Sequence, residues 1–188
     1  MNIVRLEEVE STNSFAKANI DTFGDKTSIV TKRQTSGRGR LNRSWIDLGN
    51  SNLFLSIVLK PSDTFEEFYP NITQYLSVCV CKVLENYGLK PQIKWPNDVL
   101  VNGAKIAGIL SETVMQGIKL KGIVLGIGVN LNATKEKLEN IPDKIATSLN
   151  LETGNEINLK EFLHKLLEEF FKNYDEFLKI GFPLIKED

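Results

Sequence analysis

The sequence predicts an α+β fold: a mixed sheet with flanking helices, most of them on one side. Three observations predict it. Two long segments, 70–87 and 159–178, carry apolar residues at helical spacing. Several β-branched or alternating runs surround them, at 2–9, 27–32, 52–59, 92–113 and 119–131. Strands therefore precede and follow helices without strict β-α-β alternation, which favours mixed or antiparallel pairing.

In chain order, Asn2 to Val9 reads as a strand. Ser11 is placed to cap a short helix over Thr12 to Ile20. Thr27 to Lys32 is a β-branched run that leads into a polar, glycine-bearing stretch from Gln34 to Asn42. Asn52 to Leu59 alternates and stops at Pro61. In the helix from Pro70 to Tyr87 the expected buried side holds Tyr75, Leu76, Val78, Cys79, Val83 and Leu84, with Gly88 as C-cap. Short strands then fall between turns at Pro96-Asn97-Asp98 and Asn102-Gly103. Lys119 to Leu131 is the most strand-like run, yet it holds Gly122, Gly126 and Gly128. Glycine weakens a strand unless something must approach its backbone closely. A polar link from Lys135 to Asn158, containing Pro142 and Gly154, leads to the last helix.

Composition narrows the function. The chain has 188 residues, 41% hydrophobic and 25% charged, enough for one domain with a real core. No apolar run approaches the roughly 20 residues of a membrane helix, and MNIVRLEEVE does not read as a leader. Cys79 and Cys81, two apart, cannot form a disulfide framework or a zinc site alone, so a reducing cytoplasm is the expected home. The single histidine, His164, falls beside an apolar helical stripe and reads as a surface residue. Histidine-based nucleophilic chemistry is therefore not expected. Net charge is −1, but all five arginines lie at or before Arg43, and four fall between Arg33 and Arg43. Residues 135–188 carry 8 cations and 12 anions. That layout suits a small anion gripped at one place better than a polyanion spread over the surface.

Four stretches can carry chemistry. Thr35 to Trp45 joins two glycines, three arginine forks suited to phosphate or carboxylate, and an indole that can stack on a ring. Composition alone allows a solvated basic loop equally well. It is not a P-loop, since no Gly-Lys pair exists, and neither Gly37-x-Gly39 nor Gly126-x-Gly128 has the third glycine of a dinucleotide fingerprint. Ile93 to Leu100 places Lys94 on a strand just before a tight turn, where a cation is held rigidly enough to stabilise a transition state. On spacing alone an edge lysine that discourages aggregation is the commoner reading. Gly103 to Leu110 holds a second lysine, Lys105, and Ser11 to Ser14 offers hydroxyls and an amide to a neutral polar ring.

Taken in order, these stretches resemble the catalytic domain of a biotin protein ligase. The resemblance rests on Ser11-Thr12-Asn13, the loop from Gln34 through Gly37-Arg38-Gly39-Arg40 and Arg43 to Trp45, and Lys94-Trp95-Pro96-Asn97-Asp98. Gly103 to Leu110, Gly126 to Asn130 and Ala146 to Leu149 follow, and the match covers about residues 1–182. It implies a class II aminoacyl-tRNA synthetase-like mixed sheet and two steps. Biotin and ATP, with Mg²⁺, give biotinoyl-AMP; a lysine of a biotin carboxyl carrier protein domain then takes the biotinoyl group. By resemblance Lys94, Arg40 and Arg43 are catalytic. Ser11, Thr12, Asn13, Gln34, Gly37, Arg38 and Lys94 bind biotin. Arg40, Arg43, Trp45, Lys105 and Asn130 bind the nucleotide.

The resemblance implies a minimal form, residues 1–188 as one catalytic domain, without an N-terminal DNA-binding segment or the usual C-terminal β-barrel. The partner is the carrier domain of acetyl-CoA carboxylase or a related carboxylase, with no DNA and no membrane, and the state is monomer or homodimer. Leu41-Asn42 stands where the family often has Arg-Gly, removing one charge and one flexible point from the loop. Two alternatives stay open. One is a lipoate or octanoate ligase or transferase of the same fold, which should show Arg-Arg-x-x-Gly-Gly-Gly instead of Ser-Gly-Arg-Gly-Arg. The other is a non-catalytic phosphate- or nucleic-acid-binding module, which should interleave aromatics with spread basic residues.

Overall fold

The computed structural model describes residues 2–41, 43–49, 52–60, 69–141 and 145–181. Asn42 of the arginine loop, the strand stop at Pro61, Pro142 and the chain beyond residue 181 lie outside the described residues. Among the described residues one seven-stranded sheet organises the fold. Its strands are β1 (Asn2–Val9), β2 (Thr27–Gln34), β3 (Asn52–Leu59), β4 (Pro91–Lys94), β5 (Asp98–Val101), β6 (Ala104–Gln116) and β7 (Lys119–Asn130). The spatial order is β1-β2-β3-β7-β6-β5-β4. Only β1 and β2 pair in parallel; every other neighbour is antiparallel, so the mixed sheet is as expected.

Local chemistry explains the connections. Asn102 and Gly103 have φ of 51° and 79°, the left-handed pair that a two-residue hairpin turn requires. Gly117, at φ 60°, opens the matching turn between β6 and β7. The Ser11 side chain caps α1 (Thr12–Ala18) by accepting from the Ser14 amide at 3.4 Å. That helix stops two residues short of the expected Ile20.

Alternation along β3 and β7 divides the sheet into two unlike faces. Leu53, Leu55, Ile57 and Leu59 of β3, with Ile123, Leu125, Ile127 and Val129 of β7, join the main core. That face is covered by α2 (Ile72–Glu85), α5 (Leu159–Lys172) and α6 (Tyr174–Ile180). Tyr75 stacks on Phe177 at 4.4 Å between ring centres and donates from its hydroxyl to the Phe170 carbonyl at 2.7 Å. The opposite face is only partly covered. Ala16 and Ile20 pack there on Ile29, Val58 and Val124. Farther along β7 the same face carries Gly126, Gly128 and Asn130, and a groove opens over them.

Four further sequence expectations change. Val78 is half-buried, while Ser77 and Val80 join the buried side of α2. The helix itself begins at Ile72, after a 3-10 turn over Tyr69–Asn71. The last helix breaks at Asn173 into α5 and α6, because Asn173 leaves helical geometry at φ −119°, ψ 12°. The polar link contains two short helices, α3 (Lys135–Glu139) and α4 (Leu149–Thr153), pinned by buried Leu138 and Leu149. Among the described residues no helix is long and apolar enough to cross a membrane.

Candidate active site

The groove floor is bare backbone. A Cβ on Gly126 would collide with Oδ1 of Asn13, and one on Gly128 with Cε2 of Trp45. At Gly108 of β6 it would lie 2.7 Å from Cζ3 of the same indole. These glycines adopt ordinary strand angles, so close approach is what requires them, not conformational freedom.

One end of the groove is a small polar cavity of about 30 Å³. Ser11, Thr12, Asn13, Gln34, Arg38, Trp45 and the floor glycines line it. The volume is roughly that of one water molecule. Its hydrogen bonds can be assigned by counting donors. The Thr12 amide and hydroxyl approach Oε1 of Gln34 at 2.8 and 3.1 Å, so the Gln34 amide nitrogen is the end left to donate inward. Asn13 is fully engaged otherwise. Its Nδ2 donates to the Leu110 carbonyl and to Glu112 Oε2, at 3.1 and 3.0 Å, and its Oδ1 accepts from Ser56 at 2.6 Å. Asn13 thus clamps α1 to β3 and β6. Ser56, fully buried in β3, also lies 2.7 Å from the Thr12 hydroxyl.

The arginine loop is a small hairpin. Trp45 N donates to Gly37 O at 3.0 Å, Gly39 N to Arg43 O at 2.7 Å, and Arg38 bridges Ser44. A Cβ on Gly37 would strike the Trp45 carbonyl. Leu41, 83% exposed at the tip, sits at φ 54°. Arg38 turns inward, 3.2 Å from Glu112. Arg40 turns the other way and donates to Asn97 Oδ1 at 3.0 Å. Asn97 is itself tied to β6, since its Nδ2 donates to the Ile109 carbonyl at 3.2 Å. Arg43 is exposed.

Glu112 is the charge that organises this end. Lys17 and Asn13 donate to it at 2.8 and 3.0 Å, and Arg38 pairs with it. Burial alone would raise its pKa. The hydrogen bonds from Lys17 and Asn13, with the charges of Lys17 and Arg38, outweigh burial and hold the carboxyl below its ordinary range.

The two candidate lysines are placed very differently. Lys94 ends edge strand β4 with its side chain exposed. Lys105 ion-pairs with Asp98 at 2.6 Å, and its Nζ stands 5.4 Å above the Trp45 ring. The Lys105 backbone is held on one side by segment 145–147, with Lys105 N donating to Ile145 O and Thr147 N to Lys105 O, both at 2.9 Å. Asn130, 4% exposed, reaches the Thr147 carbonyl at 3.0 Å. The structure therefore gathers Ser11, Thr12, Asn13, Gln34, Gly37, Arg38, Trp45 and Lys105 about one groove, with Asn130 at its end and Arg40 at its rim. Lys94 and Arg43 stand outside the cavity.

Sequence reasoning missed Ser56, Asn97 and Glu112. A signal existed for Ser56, a lone hydroxyl inside the otherwise apolar Leu53 to Leu59. His164 is half-buried on α5, away from the groove residues. Among the described residues no group of three or more His, Cys, Asp or Glu side chains could hold a metal.

Residues 6–130 match the biotin/lipoate A/B protein ligase family. A bifunctional ligase/repressor of Bacillus subtilis, BirA, is 33% identical over 161 residues, covering 85% of this chain and 49% of that protein. A biotin–[acetyl-CoA-carboxylase] ligase of Paracoccus denitrificans is 30% identical over 188 residues, covering 96% and 76%. A biotin protein ligase from Aquifex aeolicus, solved with biotin and ATP, superposes with a TM-score of 0.84 at 32% identity, covering 99% of this chain and 75% of that one. The chain thus spans about half the length of the Bacillus relative and three quarters of the other two.

Proposed function

The chain belongs to the biotin/lipoate A/B protein ligase family, and from that premise we propose that it joins biotin to a carrier-protein lysine at the expense of ATP. One observation carries the choice of biotin. Gln34 has its carbonyl oxygen occupied by Thr12, so its amide protons point toward a polar cavity floored by glycine backbone. A cyclic urea carbonyl needs such donors, and a flat bicycle needs a floor without side chains. The cavity's volume of about 30 Å³ is far too small for biotin with the loop as it stands. Ligand entry in this reading moves Trp45 and Arg38 outward, and the loop closes again over the product.

The chemistry follows from charge. In the first step a biotin carboxylate oxygen attacks the α-phosphorus of ATP. An O–P bond forms, the α–β bridging bond breaks, and pyrophosphate leaves with the electron pair. Two anions meet, so cations must offset their repulsion. Lys105, held beside the groove, takes in this reading the catalytic place at the carboxylate and α-phosphate that the resemblance gave to Lys94. Arg38 serves the biotin side, and Arg40 and Arg43 meet the phosphates. In the second step the carrier lysine's neutral amine attacks the biotinoyl carbonyl. A C–N bond forms, AMP departs with the C–O electrons, and the amine's extra proton passes to solvent. Magnesium would enter as part of the ATP substrate.

Positioning supplies most of the rate in such a scheme, since no protein nucleophile takes part. A closed loop also keeps water from the mixed anhydride. The partner in this reading is a biotin carboxyl carrier domain of a carboxylase, and the setting is the cytoplasm. The test is exchange of labelled pyrophosphate into ATP. Exchange that depends on biotin supports the proposal. Exchange with lipoate or octanoate instead would select the other branch of the family, and none with any of them would refute adenylation altogether.

A further inference from the structure

Strand register sets two asparagines opposite each other at the end of the groove. Asn52 opens β3 and pairs with Asn130, the last residue of β7. Asn52 is wholly buried and Asn130 nearly so. Asn52 Nδ2 donates to Asn130 Oδ1 at 3.1 Å, and Asn130 Nδ2 donates to the Thr147 carbonyl at 3.0 Å. A carbonyl can only accept, so Asn130 must turn its nitrogen to Thr147 and its oxygen to Asn52. Asn52 must then turn its nitrogen to Asn130. The direction of both amides is settled by this chain of donors.

The arrangement has a cost. Asn52 Oδ1 is buried with no partner among the described residues. An apolar residue of similar shape would avoid that loss, so stability alone does not account for Asn52. Its position does. Asn130 shares the groove face of β7 with Gly126 and Gly128, against which Asn13 and Trp45 lie. The segment it grips at Thr147 runs beside Lys105.

We propose that Asn52 is a positioning residue for the nucleotide end of the groove, acting through Asn130. By taking one lone pair of Asn130 Oδ1, it fixes the amide plane. The second proton and second lone pair of Asn130 are then aimed in a set direction. An adenine edge offers the complementary pair, an amino donor beside a ring-nitrogen acceptor. This inference rests on the adenylate-forming reading above.

The experiment compares Asn52→Asp, Asn52→Ser and Asn52→Ala with the unaltered chain. Aspartate keeps the shape and removes the donor; serine keeps a donor; alanine has none. Pyrophosphate exchange gives KM for ATP and for biotin, and calorimetric titration gives ATP affinity without turnover. Asn52→Asp should weaken ATP by about tenfold, the effect of one well-placed hydrogen bond. Its KM for biotin should stay within about twofold, since the biotin pocket lies at the other end of the groove. Asn52→Ser should bind ATP more tightly than Asn52→Ala. Equal ATP affinity in Asn52→Asp and the unaltered chain overturns the proposal, as does an equal loss of biotin and ATP. If Asn52→Asp does not fold, equal ATP affinity in the serine and alanine variants overturns it. Absence of exchange in the unaltered chain would sink the adenylation reading, while calorimetry would still decide the role of Asn52.

Discussion

Replacing Glu112 by glutamine should loosen the arginine loop and leave the sheet in place. The carboxylate accepts from Lys17 at 2.8 Å and from Asn13 at 3.0 Å, and it pairs with Arg38 at 3.2 Å. Glutamine can still accept from Asn13, so the loss is the negative charge facing two cations. Fully buried, a charge-assisted bond contributes about 1.5–3 kcal/mol. Lys17 and Arg38 are 34% and 46% exposed, and water screens both. About 0.5–1 kcal/mol for each is the fair figure, or roughly 1–2 kcal/mol in all. The pH dependence gives a sharper test. The folded pKa of Glu112 lies below its ordinary value of 4.5. Its contribution is therefore complete above the unfolded pKa and is lost as pH falls through the folded one. Urea unfolding of both proteins should show the full gap at about pH 7 and a closing gap below about pH 4. KM for biotin should rise severalfold with kcat little changed, because Arg38 is freed. A stability gap that stays constant into acid, or no gap at neutral pH, would refute the reasoning.

Other substitutions probe separate parts of the argument. Gly128→Ala puts a methyl group onto the Trp45 ring, and the nearest atoms it meets all belong to that side chain. The loop should give way before the sheet, so tryptophan emission should shift to the red while the melting temperature stays nearly constant. Trp95 is already 75% exposed, which leaves Trp45 as the reporter. Lys105→Met should cut exchange by about a hundredfold or more, the usual loss for a preorganised charge partner. Lys94→Met should stay within about tenfold; the reverse order would return the central role to Lys94. Phe170→Ala, at a fully buried ring packed on Tyr75 and Tyr174, should cost about 3–5 kcal/mol in urea unfolding with no change in KM.

Some of this was legible in the residue order, and the reasons are local. Strand β1, the Asn102-Gly103 turn and the Ser11 cap all depend on φ preferences or hydrogen bonds within a few residues. The five-residue helices α3 and α4 were not legible, because each is held by one buried leucine and has too few turns to show a period. The break at Asn173 interrupts an apolar stripe that reads as continuous, since residues on both sides feed one aromatic cluster. In α2, Val78 and Val80 are equally apolar, and only the sheet beneath selects Val80 for the interior.

The site divides in the same way. Gly126 and Gly128, the arginines of one loop and the Ser11-Thr12-Asn13 run could be read as groups of one site because residue type limits what each can do; Gly122 reads the same way, yet a Cβ there would meet the Leu59 carbonyl instead of the groove. Their partners could not. Asn13 looks like a ligand group in the sequence, yet its amide is consumed by Leu110, Glu112 and Ser56, residues more than forty positions away. The resemblance gives Lys94 the catalytic place and Lys105 only the nucleotide; strand order sets β4 at the sheet edge, with Lys94 exposed, and β6 beside the glycines of β7. An amino-acid sequence carries conformational preference and chemical type, which are properties of neighbours along the chain. Which donor meets which acceptor, and which lysine faces the groove, depends on strand order and register, and those are set only when distant segments bury their apolar faces together.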